Sequence, residues 1–162
     1  MKLTHVFNLA IICILALASV EAYSSNNAVK ANIETTKPKI IALAPHIVEM
    51  LFDIGAGEQI IATTEYADYP LAAQKIPRIG SSMRIQLERV IELQPDVIIA
   101  WESGSPSDDL ARLKQLGFKI VYSQPDSFAE VAQELRLFGK LSGHSEQAER
   151  VANKFLIDLA EI

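Results

Sequence analysis

Cysteine is almost absent. The one thiol among 162 residues, Cys13, lies inside an apolar run near the N-terminus. If that run is removed on export, no disulfide and no thiol chemistry remain. Histidine is scarce too. Beyond His5 there are only His46 and His144, far apart and without a ligand partner at helical spacing, so no metal site is expected. Glycine-rich signatures are missing. Gly55 and Gly57 form a lone GxG, no P-loop Gly-Lys-Ser/Thr occurs, and "SGS" at 103–105 lacks the frame of a Gly-x-Ser-x-Gly elbow. A Ser-His-Asp set could be assembled only from scattered residues, so nothing points positively to an enzyme. Basic clusters are lacking as well. The 15 Lys and Arg stand against 20 Asp and Glu, a net charge of −5, which argues against nucleic acid as a partner.

What remains is the composition of an ordinary globular chain, 49% hydrophobic and 22% charged, of a length that suits one domain. Its first part is not fold. "MKLTH" is a short Lys-bearing start, and "VFNLAIICILALAS" is an apolar core too short to span a bilayer comfortably. Val20 and Ala22 stand at the −3 and −1 positions of a signal-peptidase site before Tyr23. Residues 1–22 are therefore expected to be a cleaved signal peptide directing the chain to the periplasm. Ile11 and Ile12 precede Cys13 where a lipoprotein signal wants a small residue, so lipidation is not expected. Residues 23–37 are polar and aperiodic and read as a flexible lead-in.

From Lys39 the chain alternates short β-rich runs with helical patterns. "KIIAL" (39–43) is a strand. Pro45 breaks it, and Ile47, Met50, Leu51 and Ile54 then recur at helical spacing up to Gly55. "QIIAT" (59–63) is a second strand, followed by the loop "TEYADYP" and a short helix from Pro70. "LERVIEL" (87–93) predicts one or two helical turns with Leu87, Val90, Ile91 and Leu93 inward. "DVIIAW" is the third strand and "SDDLARLKQLG" a helix with Asp108 and Asp109 at its positive end. "FKIVY" (118–122) is the fourth strand. A helix follows behind a Ser-x-x-Glu capping box, Ser127 to Glu130. His144 reads as a solvated helix-start residue. The rhythm predicts an α/β fold, a Rossmann-like, mainly parallel sheet with helices on both faces.

In such folds ligands meet the loops at the carboxyl ends of the strands. Tyr66, Tyr69 and Trp101 fall on those loops, and Trp101 is the only Trp in the chain. Aromatic rims suit large, flat, partly apolar ligands. Trp101 at a strand exit is the strongest candidate. Tyr69, before Pro70, is expected to pack under its loop. Tyr66 suits either role, and His46, just after Pro45, suits a cleft wall or a plain helix start. The last segment, "SEQAERVANKFLIDLAEI", carries an apolar stripe through Ala148, Val151, Ala152, Phe155, Leu156, Leu159 and Ile162 with no finishing Gly, Asn or basic turn. The expectation is a helix cut within a longer one.

Three stretches together, "PKIIALAPHIVEMLFDIGAGEQIIATTEYADYP", "KIPRIGSS" and "LERVIELQPDVIIAW", resemble the first lobe of the periplasmic iron-complex and cobalamin binding proteins, the solute receptors of ATP-driven importers. The resemblance runs from Pro38 to Ile162. "EYADYP" and the Trp closing the third strand are most similar to the cobalamin-binding members. The resemblance implies a two-lobed receptor with no resident cofactor, carrying cobalamin as its transported ligand. It implies an N-terminal lobe over 38–143, the start of a long inter-lobe connector helix over 144–162, and a second lobe that is absent. Ligand contacts are implied at Tyr66 and Trp101, with Pro45 and His46 beside them. An inner-membrane permease is the implied partner, docked through Glu88, which the helical register also turns to solvent.

One departure bears on the ligand. Ser82 stands where the cobalamin-binding members carry a further Trp, with Met83 and Arg84 next. A ferric siderophore or haem therefore stays open, with Arg84 as its charge partner. A small exported α/β enzyme and a non-functional truncated fragment are the alternatives from other classes.

Overall fold

The computed structural model describes residues 37–161. The predicted signal peptide, all of the lead-in except Lys37, and Ile162 lie outside the described residues. Four strands form one parallel sheet: β1 (Ile40–Ala42), β2 (Ile60–Thr63), β3 (Val97–Trp101) and β4 (Ile120–Ser123), in the order β2-β1-β3-β4. Five α-helices accompany them: α1 (Pro45–Asp53), α2 (Leu87–Leu93), α3 (Ser107–Gln115), α4 (Phe128–Ser142) and α5 (Ser145–Ala160). Single 3-10 turns cover Gly57–Gln59 and Leu71–Lys75.

Side-chain alternation splits the core in two. Ile40 and Ala42 of β1, with Val97 and Ile99 of β3, face a layer made by α1, α4 and α5. Ile41, Ile98 and Ala100 face the opposite layer, where Val90 of α2 meets Leu110 and Leu113 of α3. Both faces are covered, so β1 and β3 read as unbroken apolar runs with no polar alternation. Phe138 of α4 is the largest fully buried side chain of the first layer. The pairing of β1 with β2 slips between Ile40 and Ile41, and past the slip the buried Thr63 hydroxyl donates to the Ala42 carbonyl at 2.7 Å.

This topology has a consequence for function. β1 sends its connection to the α1 layer and returns on one side as β2. The chain then crosses on the other layer to β3, on the far side of β1. Between β1 and β3 the connections part to opposite faces, and a crevice opens at their carboxyl ends. The residues at that point are Pro45 and His46 after β1, and Trp101 closing β3.

Several helical expectations are corrected. Ile91, expected inward, is 41% exposed: the inward face of this helix runs through Leu87, Val90 and Leu93, which pack on the same core, and leaves Ile91 at its edge. Ser127 caps α4, its Oγ accepting from Glu130 N–H at 3.3 Å. The Glu130 carboxylate, however, accepts from Asp126 N–H and not from Ser127, so the reciprocal half of the capping box is displaced by one residue. His144, expected in solvent, is half-buried, with Nδ1 3.0 Å from the Ser142 carbonyl and the Gln59 amide beside it. Tyr69, expected under its loop, is 69% exposed.

Helix α5 folds back along α4. Gly139 permits the approach: a Cβ there would overlap the Cβ of Ala148. Ala148 and Ala152 are buried in the seam, and Phe155 stands edge-on to Phe128 at 6.1 Å. Burial fades towards the last turns, where Ile157 is exposed. Among the described residues no helix is long and apolar enough to cross a membrane.

Candidate functional site

Trp101 ends β3 with its side chain on the α1–α4 side of the sheet. Its indole lies over the following loop, where Gly104 is required: any Cβ there would overlap the six-membered ring. The loop closes on itself, Ser105 N–H donating to Trp101 O at 2.9 Å and Trp101 N–H to Ser105 Oγ at 3.1 Å. Ser103 ties it to Gln124 on the next rim segment, through its N–H and its hydroxyl. The indole is thus held on a braced loop and stays 40% exposed.

His46 sits in the first turn of α1, directed by Pro45 at the helix start. Its ring stands edge-on to the indole, with centroids 5.7 Å apart and planes at 85°. Together they line a cleft of about 400 Å³ between α1 and the start of α4. Glu49, Met50 and Asp53 of α1 continue one wall, and Gln124, Pro125 and Val131 supply the other. Burial holds the His46 imidazole below its ordinary value, against the pull of Glu134 and Glu49. Burial also pushes the Asp53 carboxyl up.

Behind His46 lies the buried hydroxyl of Ser123, 3.1 Å from Nε2. A serine beside a histidine invites a catalytic interpretation, and the geometry opposes it. The Ser123 hydroxyl donates to Glu134 Oε2 at 2.6 Å, so its proton is committed to the carboxylate and not to the imidazole. Ser123 is also fully shielded from solvent. Among the described residues no three His, Cys, Asp or Glu side chains converge as metal ligands.

The other anticipated residues occupy different parts of the rim. Tyr66 follows β2, on the far side of β1 from Trp101, two strand spacings away or roughly 10 Å. It is 81% exposed with a left-handed backbone, φ 68°. It therefore flanks the crevice without lining the Trp101 cleft. Ser82 and Arg84 are exposed on the turn after Gly80. Arg84 borders a separate depression with Asp109 and Arg112 and does not reach the Trp101 cleft. Glu88 is exposed in the first turn of α2 on the edge of that depression.

The sequence pattern places Ser123 and Gln124 only at the exit of the fourth strand, without a role, and misses Glu134 and the acidic pair Glu49 and Asp53. It also misses Arg78, whose guanidinium donates to the carbonyls of Ala67, Ala73 and Ile76 and to the Asp68 carboxylate, stapling the loop that carries Tyr66 and Tyr69. Glu134 lies a full two turns into α4 and no local pattern marks it.

A family model described as periplasmic binding protein matches residues 40–162. The chain belongs to the periplasmic binding protein family. Within it, a vitamin B12-binding protein of Vibrio cholerae serotype O1 is 38% identical over 117 residues, covering 72% of this chain and 42% of that protein. The crystal structure of the periplasmic vitamin B12 binding protein BtuF of Vibrio cholerae is similar with a TM-score of 0.73 at 36% identity, covering 77% of this chain and 49% of that one. The periplasmic heme-binding protein RhuT from Roseiflexus sp. RS-1 is similar with a TM-score of 0.69 at 26% identity, covering 77% and 48%. This chain spans about half the length of these family members, or less.

Proposed function

We propose that this chain is the N-terminal lobe, residues 38–143 with the connector start at 144–162, of a solute receptor that captures cobalamin or a related corrinoid. The corrinoid lies against the crevice at the carboxyl ends of β1 and β3 and is passed to an inner-membrane ATP-driven permease. The observation that carries this is the braced, part-exposed indole of Trp101 set against His46 at the topological switch point. The 38% identity to a vitamin B12-binding protein supports the choice of ligand. Pro45 stands beside His46 on this wall and Tyr66 flanks the crevice, while Ser82 and Arg84, on a separate depression, would meet only parts of the ligand that extend beyond it. Export by cleavage before Tyr23 is part of the same proposal. N-terminal sequencing of the secreted form should begin there.

Glu88 is proposed as the docking residue for the permease. It is exposed and, among the described residues, makes no ion pair, whereas its neighbours Arg89 and Glu92 pair at 2.7 Å. A pull-down on permease vesicles should lose the wild-type signal on Glu88→Lys while the ligand response stays unchanged.

A bound ligand of this size normally buries ~70–90% of its surface. One wall of 400 Å³ leaves most of a corrinoid uncovered, so binding by this chain alone is expected to be weak. Weak binding is best followed by two-dimensional NMR, in which the sole tryptophan supplies a single indole N–H resonance. Addition of cyanocobalamin should shift that resonance saturably. Shifts with a ferric siderophore or haemin but none with cyanocobalamin would sink the assignment. A haem receptor is the second reading, favoured by the likeness to RhuT.

A further inference from the structure

Behind the His46–Trp101 contact runs a chain of three polar side chains from three elements. Ser123 is the last residue of β4 and wholly buried. Its Oγ lies 2.6 Å from Glu134 Oε2 on α4 and 3.1 Å from His46 Nε2 on α1. The other carboxylate oxygen, Oε1, accepts the backbone N–H of Gln124 at 2.9 Å.

Counting protons fixes the direction of this chain. A carboxylate only accepts, and a hydroxyl has one proton to give. Ser123 gives its proton to Glu134. The proton of the 3.1 Å contact must then come from His46 Nε2. A neutral imidazole protonated on Nε2 carries a bare lone pair on Nδ1. Burial favours that neutral form by lowering the His46 pKa. Nδ1 has no hydrogen-bond partner among the described residues, and it is not sealed away. Gln59 Oε1 is the single buried side-chain polar atom left unpartnered among them. The rest of the cleft agrees in sign. Glu49 and Asp53 add acceptors, Gln124 and the Trp101 indole add neutral donors, and no Lys or Arg lines it.

We propose that the Glu134–Ser123–His46 relay presents His46 Nδ1 as a fixed hydrogen-bond acceptor, and that the cleft thereby selects ligands bearing neutral N–H donors, primary amides above all, over ligands bearing carboxylates. This rests on the cleft being the ligand site. It narrows the ligand to a corrinoid whose arms are amides. A carboxylate brought to this wall meets a lone pair and two acidic side chains with no cation to offset them. His46 touches the ligand, and Ser123 and Glu134 are positioning residues.

Glu134→Gln tests the direction of the relay. With the Gln124 N–H still claiming the side-chain oxygen, the new amide turns its NH₂ towards Ser123. Ser123 must then accept from it and donate to His46 Nε2, which moves the imidazole proton to Nδ1. The relay is read without ligand, by nitrogen-15 chemical shifts of His46 at neutral pH. The wild type is expected to show protonated Nε2 and bare Nδ1, and Glu134→Gln the reverse. Ser123→Ala, which cuts the relay with little change of volume, is expected to give a mixture and serves if Glu134→Gln fails to fold. Wild-type protonation on Nδ1, or an unchanged tautomer in a folded Glu134→Gln, would overturn the relay.

Selectivity is read by NMR titration with cyanocobalamin and with the corrinoid whose amide arms are all hydrolysed to carboxylates. The wild type should prefer the amide form by about tenfold, the worth of roughly one hydrogen bond. Glu134→Gln should erase that preference. Equal binding of both corrinoids by the wild type overturns the selectivity and leaves the receptor assignment standing. No shift with either corrinoid overturns both.

Discussion

The His46 imidazole and the Trp101 indole meet edge-on, 5.7 Å between centroids and 85° between planes, at the point where the connections from β1 and β3 part to opposite faces of the sheet. Because Trp101 is the only tryptophan, its fluorescence reports on His46. A protonated imidazole quenches a neighbouring indole. Burial depresses the His46 pKa from 6.5, so the quenching should set in with a midpoint below that value and vanish in His46→Gln. A midpoint at or above 6.5 would contradict the burial of this ring.

The same depression has a consequence for stability, and its sign follows from linkage. The unfolded chain takes up the imidazole proton as pH falls through 6.5, while the folded chain resists until its own lower value. His46 therefore weakens the fold as pH falls between those two values, and its effect is fully absent above 6.5. Asp53 works in the opposite sense in a more acid window, since burial raises its carboxyl above 3.8. Urea unfolding of wild type and His46→Gln across mildly acid pH should show the wild type losing stability faster as pH falls.

Much of this fold is legible in the sequence, for identifiable reasons. A sheet covered on both faces needs continuous apolar strands, and "KIIAL" and "DVIIAW" announce that without ambiguity. Trp101 could be placed at the binding edge because strand polarity is fixed by a parallel sheet. The relay could not be foreseen. Glu134, Ser123 and His46 come from separate elements, and only the packing of α1 and α4 on one face brings them together. His144 and Ile91 depart from expectation for a related reason: their burial is set by contacts the local pattern does not show, with Gln59 for His144 and with a core reached by Leu87, Val90 and Leu93 for Ile91.

Gly104 is a positional requirement of the site. A methyl group there overlaps the indole ring, and the loop is fixed by its own hydrogen bonds, so the indole has to move. Gly104→Ala should shift the Trp101 emission and near-ultraviolet dichroism and remove the response to corrinoid. Global stability should change by less than about 1 kcal/mol, since the contact lies on a part-exposed rim outside both apolar core layers. An unchanged indole signal in a folded Gly104→Ala would show that the loop yields instead.

Gly139 makes the matching test of the α4–α5 hairpin. Its missing Cβ is where Ala148 packs, and both positions are fully buried between helices. Gly139→Val inserts a branched side chain into a seam with no room for it. Overpacking of this kind costs typically 1–3 kcal/mol, measurable by urea unfolding. Because the seam lies away from Trp101, the corrinoid response per folded molecule should be retained. Loss of stability well under that range would mean that α5 swings away from α4 at little cost.

Arg78 offers the sharpest separation of loop order from global fold. One half-buried guanidinium donates to three backbone carbonyls and one carboxylate between Ala67 and Ile76, holding the loop that presents Tyr66 and Tyr69. A hydrogen bond to a charged group is worth about 1.5–3 kcal/mol where the partner is left unpaired. Ala67 and Ala73 are fully buried and their carbonyls lose a donor, whereas Asp68 and Ile76 reach solvent, which replaces their share. Arg78→Ala should therefore cost about 2 kcal/mol overall. Amide exchange should quicken first across residues 65–76, well before the strands. Arg78→Lys should rescue little, because a single ammonium cannot span carbonyls that a planar fork reaches from two nitrogens. If the lysine variant restored both stability and slow exchange, the loop would depend on the charge alone and the forked geometry would be incidental. The test also bears on the ligand wall: a loosened loop frees Tyr66 but leaves the His46–Trp101 contact in place, so a corrinoid response that survives Arg78→Ala would locate the binding energy on the Trp101 side of the crevice.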